Sequence, residues 1–241
     1  MFRRLLALST LSLSALALPA QAANNLDTIQ NLGQSDFRLL SEDLAAALSY
    51  KALTPAAPLG ILGFDLGVEV DSTKLQNPAA FDLATSGSAP SSLIVPKLHA
   101  YVGLPLNFDV GAFYSEVPNT NIKLWGAELR YAILPGGPAT PAVGLRADYT
   151  QLQGVNQLTF DTTGVDISIS KGFGFVTPYA GIGEVWANST PNGIPTLTKE
   201  NLSMAKYFVG VNVNLAIVNI AVEGDKTGDA TSYGVKLGLR F

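Results

Sequence analysis

From residue 59 onward the chain alternates. In Leu62, Phe64, Leu66, Val68 and Val70 one parity is wholly apolar, while the other reads Gly63, Asp65, Gly67, Glu69 and Asp71. A strand turns successive side chains to opposite faces, so the pattern predicts one greasy face and one small or polar face. It recurs in Leu98, Ala100, Val102, Leu104 and Leu106 against Lys97, His99, Tyr101 and Gly103. Phe108, Val110, Ala112 and Tyr114 oppose Asp109, Gly111, Phe113 and Ser115, and Trp125, Ala127, Leu129, Tyr131 and Ile133 oppose Gly126, Glu128, Arg130 and Ala132. Val143, Leu145, Ala147 and Tyr149 oppose Gly144, Arg146, Asp148 and Thr150. Ala205, Tyr207, Val209, Val211 and Val213 oppose Lys206, Phe208, Gly210, Asn212 and Asn214. Val218, Ile220 and Val222 oppose Asn219, Ala221 and Glu223, and Tyr233, Val235, Leu237, Leu239 and Phe241 oppose Ser232, Gly234, Lys236, Gly238 and Arg240.

Two further segments complete a count of about ten strands. In 156–171 the apolar parity switches, from Leu158 and Phe160 to Val165, Ile167 and Ile169. A bulge near Gly164 is expected there, because one extra residue reverses the facing of all that follow. Around 176–188 the facing is left unassigned. Tight turns are expected at Leu106-Asn107, Pro135 to Pro138, Gly172 to Gly174 and Leu215-Ala216, with the longest connections, 71–94 and 188–203, at the opposite end. An even count with short turns at one end and longer loops at the other is the pattern of an antiparallel up-and-down transmembrane β-barrel, an all-β fold. It puts both ends of the chain on the short-turn side. A soluble sandwich also alternates. Against it stand charges on nearly every polar face and aromatics toward strand ends on the apolar face (Tyr114, Trp125, Tyr131, Tyr149, Tyr207, Tyr233), where an interfacial girdle falls.

The residues before the barrel follow another period. Leu26, Ile29 and Leu32, then Phe37, Leu40, Leu44 and Leu48 recur at spacings of three and four, which predicts a helical segment over 23–58, a plug or a periplasmic cap. Ser41 and Asp43 are placed to start a second stretch of helix, and 44–52 reads as either helix or strand. Ahead of it, Arg3-Arg4, the apolar run Leu5 to Leu18 and the small-x-small Ala20-Gln21-Ala22 form an export signal over 1–22, cleaved before Ala23. The barrel occupies 59–241.

Composition narrows the picture. The chain is 47% hydrophobic but only 14% charged, against roughly 25% charged in soluble domains. The segment after residue 22 holds no unbroken apolar run long enough for a spanning helix. A net charge of −4 gives no basic field for nucleic acid. The absence of Cys removes disulfides, thiol catalysis and Cys metal sites.

The last strand, Ser232 to Phe241, resembles the C-terminal signal of bacterial outer-membrane proteins, in which a polar residue, a Gly and alternating apolar residues lead to a terminal aromatic. Ser232, Gly234, Leu237, Leu239 and Phe241 match that pattern. The resemblance implies recognition by the barrel-assembly machinery. Over residues 59–241 the chain is similar to small Gram-negative outer-membrane β-barrel proteins. That implies an outer-membrane location, with membrane lipid and lipopolysaccharide around it. Ser41 to Leu48, followed by Pro55-Ala56-Ala57-Pro58-Leu59-Gly60, resembles the start of long-chain fatty-acid transporters. In that family a helical segment plugs the barrel before a Pro-rich lead into the first strand. Thr54 stands here where the family usually has Asn before the Pro. This resemblance implies a small hydrophobic solute as cargo.

The lumen is expected to hold Asp65, Glu69, Lys97, His99, Asp109, Glu128, Arg130, Arg146, Asp148, Lys206, Glu223, Lys236 and Arg240. Glu128 and Arg130 should lie beside Arg146 and Asp148, Glu223 near Lys236, and Lys236 and Arg240 beside Asp65 and Glu69. Such a set is either a selective constriction or a paired polar core, and the narrow bore of about ten strands favours the paired core. His99 is the sole imidazole, so acid–base catalysis must use it, with Ser115 or Asp109 as neighbours. A His bonded to lumen carboxylates is the favoured reading, and no enzyme is expected. One His and dispersed carboxylates offer no metal cluster. Loop 71–94 lacks a calcium-site pattern, no Gly-rich loop opens a helix, and no cofactor is expected. The expected function is a narrow channel or transporter for small molecules. The alternative is a structural or adhesive barrel with a filled lumen and functional loops.

Overall fold

In the computed structural model residues 25–85 and 89–241 are described. The expected export signal, 1–22, and its cleavage before Ala23 lie outside the described residues. The alternating segments form β1 (Phe64–Lys74), β2 (Ser92–Gly103), β3 (Phe108–Glu116), β4 (Lys123–Pro135), β5 (Ala142–Gln153), β6 (Leu158–Ser170), β7 (Val176–Pro191), β8 (Glu200–Leu215), β9 (Val218–Thr227) and β10 (Ala230–Arg240). Each pairs antiparallel with its chain neighbours, and β1 pairs with β10 from Asp65↔Arg240 to Thr73↔Ser232, which closes the barrel. One end, the near mouth, holds the start of β1, Phe241 and the connections 104–107, 136–141, 171–175 and 216–217. The far mouth holds 75–91, 117–122, 154–157, 192–199 and 228–229.

The outer face carries a band with aromatic edges. Leu66, Val68, Val110, Leu129, Leu145, Val165, Ile167, Ile182, Val209, Val222, Val235 and Leu237 are all exposed apolar side chains on the wall. Toward the far mouth the band ends at Tyr114, Trp125, Tyr149, Trp186, Tyr207 and Tyr233; Tyr114 pairs with Trp125 and Thr163 with Trp186. Toward the near mouth, Phe64 stacks on Phe241 at 5.7 Å and Phe108 on Tyr131 at 4.7 Å. An apolar exterior between two aromatic rows is what a barrel needs to span a bilayer. Tyr131 thus belongs to the near row, and the other five aromatics expected at strand ends to the far row.

Beyond the far row the wall inverts its polarity. There Ser72, Lys74, Glu116, Lys123, Gln151 and Thr159 face outward. Leu93, Val95, Leu124, Leu152, Leu158, Phe160 and Leu202 face inward into one hydrophobic cluster. This inversion replaces the bulge expected near Gly164. Strand β6 keeps unbroken register with both neighbours. Leu158 and Phe160 are apolar because they sit inside above the membrane, and Val165 and Ile167 because they sit outside within it. The register shift that does occur lies between Ala132 and Leu134, where β4 meets β5. Strand β7 resolves in the same frame, with Tyr179, Val185, Ala187 and Ser189 inward and Ile182 and Trp186 outward.

The far-mouth cluster is completed by the amino-terminal segment. A 3₁₀ turn (Ile29–Asn31) precedes α1 (Gln34–Leu48), a run free of Gly, Pro and β-branched residues. The helix begins after Gly33, with Asp36 in its first turn, rather than at Ser41. Ser41 instead donates to the Phe37 carbonyl and meets the Ser189 hydroxyl, and Asp43 accepts the backbone N–H groups of Gln76 and Asn77. In the 75–91 connection α2 (Pro78–Ala84) packs against it, a helix not expected in a segment read only as a long loop. Leu26 is bonded through both its N–H and its carbonyl to Asn121, at the far mouth. The start of the described chain therefore lies at the long-loop end, not on the short-turn side. Helix α1 reaches into the far mouth and ends at Leu48, and an irregular strap, 49–58, runs on to the near mouth. Residues 44–52 add no strand, so the count stays even.

Replacing Leu237, half exposed at the middle of the lipid-facing band, with Arg should cost about 2–4 kcal/mol. Urea unfolding in lipid vesicles measures this, and a cost near zero would mean the band does not meet hydrocarbon.

Candidate functional site

Every lumen residue expected from the alternation faces inward, and all but Arg240 are buried, with Arg240 partly so. Around the closure of β1 on β10, Asp65 accepts Lys236 Nζ at 2.7 Å and meets His99 Nε2 at 3.1 Å, with Arg240 at 3.9 Å. Glu69 meets His99 Nδ1 at 3.0 Å, and Lys97 reaches Asp71 at 2.6 Å. On the opposite wall like charges are in register, Glu128↔Asp148 and Arg130↔Arg146, so the ion pairs run sideways. Arg130 binds Asp109 at 3.0 Å and Glu128 at 3.1 Å, while Arg146 binds Asp166 at 2.6 Å and lies 3.6 Å from Glu128. Asp148 faces Lys206 and Arg146. Glu223 lies among Lys206, Arg146, Asp225 and the Tyr179 hydroxyl. The expected neighbour of Glu223, Lys236, turns to Asp65 instead, because its own cross-strand partner on β9 is Ala221 and on β1 is Glu69.

Four members of this lattice were not on the sequence list: Lys51, Asp71, Asp166 and Asp225. Asp71 and Asp166 lie on the inward parity and were there to be found. Asp225 follows from extending β9 past Glu223, and Lys51 becomes visible only once the plug is threaded. Inward aromatics lie flat on inward glycines. At Gly111 a Cβ would fall 2.0 Å from Tyr101 Cδ1, and at Gly210 one would fall 2.3 Å from Tyr179 Cζ. This gives the strand glycines a packing role.

His99 has both ring nitrogens against carboxylates and its side chain is fully buried. Neither Ser115 nor Asp109 is its partner; Asp109 is committed to Arg130. With both nitrogens engaged, no base is free for a nucleophile here. The imidazole works as a linker between Asp65 and Glu69.

The strap completes the lattice. Lys206 donates to the Tyr50 carbonyl at 2.5 Å, Lys51 pairs with Asp225 at 2.9 Å, and the Tyr50 and Tyr101 hydroxyls are 3.0 Å apart. Arg130 donates to Thr54 Oγ1 and the Pro55 carbonyl, and Arg240 also donates to Thr54, each at 3.2 Å. The Leu59 N–H donates to Asp109 at 3.0 Å, and the chain leaves the lumen at Gly60, whose φ is 83°.

A hollow lies at each mouth beside the segment 25–58. A cavity of about 590 Å³ lies at the far mouth, bounded by Leu39, Asp43, Met204, Thr227 and Ala230. Burial lifts the Asp43 carboxyl above the usual carboxylate range, against the pull of its two backbone donors. A second cavity, of about 310 Å³, lies at the near mouth between Pro58, Leu59, Asn214, Ile217 and Arg240. Both border the β8–β10 side of the wall.

The residues of the expected assembly signal close the barrel. Ser232 bonds Thr73 at 2.8 Å, and Gly234 makes room for Asp71, whose Oδ1 would lie 2.4 Å from a Cβ there. Leu237 and Leu239 face outward, and Phe241 exchanges backbone hydrogen bonds with Phe64 at 2.9 and 3.0 Å.

Asp65→Ala leaves Lys236 and His99 buried without their shared carboxylate and should cost about 3–5 kcal/mol in unfolding free energy. Adding Lys236→Met should recover part of that loss. Urea unfolding of both variants in vesicles measures it, and a double variant weaker than the single one would refute the pairing.

No protein-family model matches the chain, and no curated protein is found to match it. Among solved structures it is similar to the N-terminal β-barrel domain of Pseudomonas aeruginosa OprF, at 14% identity over 76% of this chain and 99% of that one, with a TM-score of 0.38. An outer membrane channel from Pseudomonas putida F1 matches at 9% identity over 80% of this chain and 100% of that one, with a TM-score of 0.48. Ail, the attachment invasion locus protein of Yersinia pestis, matches at 13% identity over 76% and 99%, with a TM-score of 0.34.

Proposed function

We propose that this protein is a Gram-negative outer-membrane barrel, inserted by the barrel-assembly machinery, whose lumen is a narrow conduit for small polar solutes held shut by its own strap. The observation that carries the reading is the pair of cavities at opposite mouths on one side of the wall, with strap contacts between them. Along β8–β10 the line from Thr227 and Ala230 to Asn214 and Arg240 is crossed by Lys51–Asp225 and by Lys206 on the Tyr50 carbonyl. The strap has no regular secondary structure, so its displacement breaks side-chain contacts and no sheet. Charged walls at membrane level favour polar cargo over the hydrophobic solute suggested by the fatty-acid transporter resemblance.

A second reading, a structural or adhesive barrel, rests on the far-mouth cap. There Gln34 binds Thr198 and Glu200, Asn121 binds Leu26, and the Ile29 N–H donates to Gln157, which makes a well-tied outer surface.

Planar-bilayer recordings separate the two. The mature protein should open rarely, and the variant Lys51→Ala/Asp225→Ala, which removes both charges of the latch, should open at least about tenfold more often. Silence of both proteins, with the barrel shown folded by heat-dependent gel migration, would leave the second reading standing and end the first.

A further inference from the structure

Among the described residues five exposed cations lie beyond the far aromatic row, Arg38, Lys74, Lys123, Lys199 and Lys226, and two of them are neutralised by ion pairs. Lys123 pairs with Glu116 at 2.9 Å, and Arg38, on α1, pairs with Glu42 and Glu200. Lys74 on β1 and Lys226 on β9 are exposed, and among the described residues neither has an ion-pair partner. The register brings these two together. Thr73 pairs with Ser232, so Lys74 comes level with Thr231, and Thr231 pairs with Lys226. The two lysines thus flank Thr231 on one outward cross-strand row, about 10 Å apart at their Cα atoms, two strand spacings. Each has a reach that lets both ammonium groups converge on one anion or hold two close together.

Neighbouring residues supply the rest of a lipid site. Tyr233, 67% exposed, is the next outward residue on β10 toward the membrane, while Tyr207, 57% exposed, is the register partner of Lys226 and ends the lysines' own row on β8. Beneath them lie Val222, Val235 and Leu237, all exposed on the apolar band. Read outward from the bilayer, this is an apolar stripe, the Tyr233 phenol, then a row holding the Tyr207 phenol and the two cations. That order matches an amphiphile with several acyl chains and a phosphate-bearing head.

We propose that the β9–β10–β1 face binds a phosphorylated glycolipid of the outer leaflet, of the lipopolysaccharide type, with Lys74 and Lys226 on its phosphates. The leaflet follows from reading the far mouth, with its longer connections, as the outer side. A glycolipid with two phosphates fits the spaced pair of lysines better than a phospholipid with one.

The test uses the full mature chain in nanodiscs containing bis-phosphorylated lipid A or phosphatidylglycerol, with retained lipid counted by native mass spectrometry. Wild type should retain lipid A. Lys74→Gln/Lys226→Gln should weaken retention about tenfold or more, as expected for two lysines lost at an anionic surface. Lys123→Gln, at the same rim but already paired, should retain it like wild type. Either single lysine variant should fall between, and heat-dependent gel migration reports the fold of each. Equal retention by wild type and the double variant would overturn the site. So would a loss in Lys123→Gln as large as in the double variant. Phosphatidylglycerol held as tightly as lipid A would overturn the glycolipid assignment.

Discussion

A closed wall of ten strands encloses more cross-section than its own side chains fill as readily as they do in eight-strand barrels, and here most of what points inward is charged. Buried charges persist only when paired and hydrogen-bonded. The lumen is therefore constrained twice, to be filled and to be neutral in detail, and the strap 49–58 meets both demands. It brings backbone carbonyls to Lys206 and Arg130, a hydroxyl to Arg130 and Arg240, and an ammonium to Asp225. Breaking any one partner leaves its counterpart buried, which is why the lattice acts as a unit. The in-register like pairs Glu128↔Asp148 and Arg130↔Arg146 show this on the wall itself. Each member is held by a neighbour one strand or one row away, so no single pair is self-sufficient.

The second organising feature is the polarity inversion at the far aromatic row. Below it the barrel is apolar outside and polar inside; above it the signs exchange, and the interior becomes an ordinary hydrophobic core shared with α1 and α2. One strand can hold both regimes without a bulge, because the facing of its backbone never changes and only the solvents on its two sides do. Alternation by itself reports two faces and not which solvent each face meets. For β1, β3, β4, β8 and β10 the apolar parity met lipid over most of the strand, and the sequence read correctly. In β6 the inversion falls mid-strand, and the apolar parity switches at a position where the geometry is regular. Strand β7 was opaque because glycines and small residues occupy much of its inward parity and Glu184 sits on the outward one.

The candidate site was legible to the extent that it is local. Most inward charges on well-formed strands follow from parity alone, as does closure of Lys236 and Arg240 onto Asp65, although Asp71 and Asp166 on the same parity were passed over. What parity does not carry is length and threading. Asp225 was missed with the last turn of β9. Lys51 was missed because its partner lies 174 positions on in a different element, brought close only by the path of the plug. The helix period of α1 was readable from its apolar spacing. Its role in sealing the far mouth depends on Asn121, Gln157 and Asp43 bonding to distant backbone, and no sequence period signals such contacts.

The division of the plug into two parts bears on how such a barrel works. Its first part, 25–48, is anchored by a hydrophobic cluster and by side-chain bonds to several far-mouth connections, so moving it costs buried apolar area as well as hydrogen bonds. Its second part, 49–58, buries Tyr50, Ala52 and Leu53 but adds polar contacts the first part lacks, and its polar partners on the wall are charged groups that water or an entering ion also satisfies. On the proposed conduit reading, a polar solute arriving in the far cavity would meet Asp43 and Thr227 first and the Lys51–Asp225 pair next. Charge on that solute competes with Lys51 for Asp225 or with the Tyr50 carbonyl for Lys206. Displacement of the strap thus exchanges one set of charge contacts for another, while the cap above it keeps its core. On the proposed conduit reading the strap, joined to the wall by the Lys51–Asp225 pair and the Lys206 bond to Tyr50, is the element that would yield.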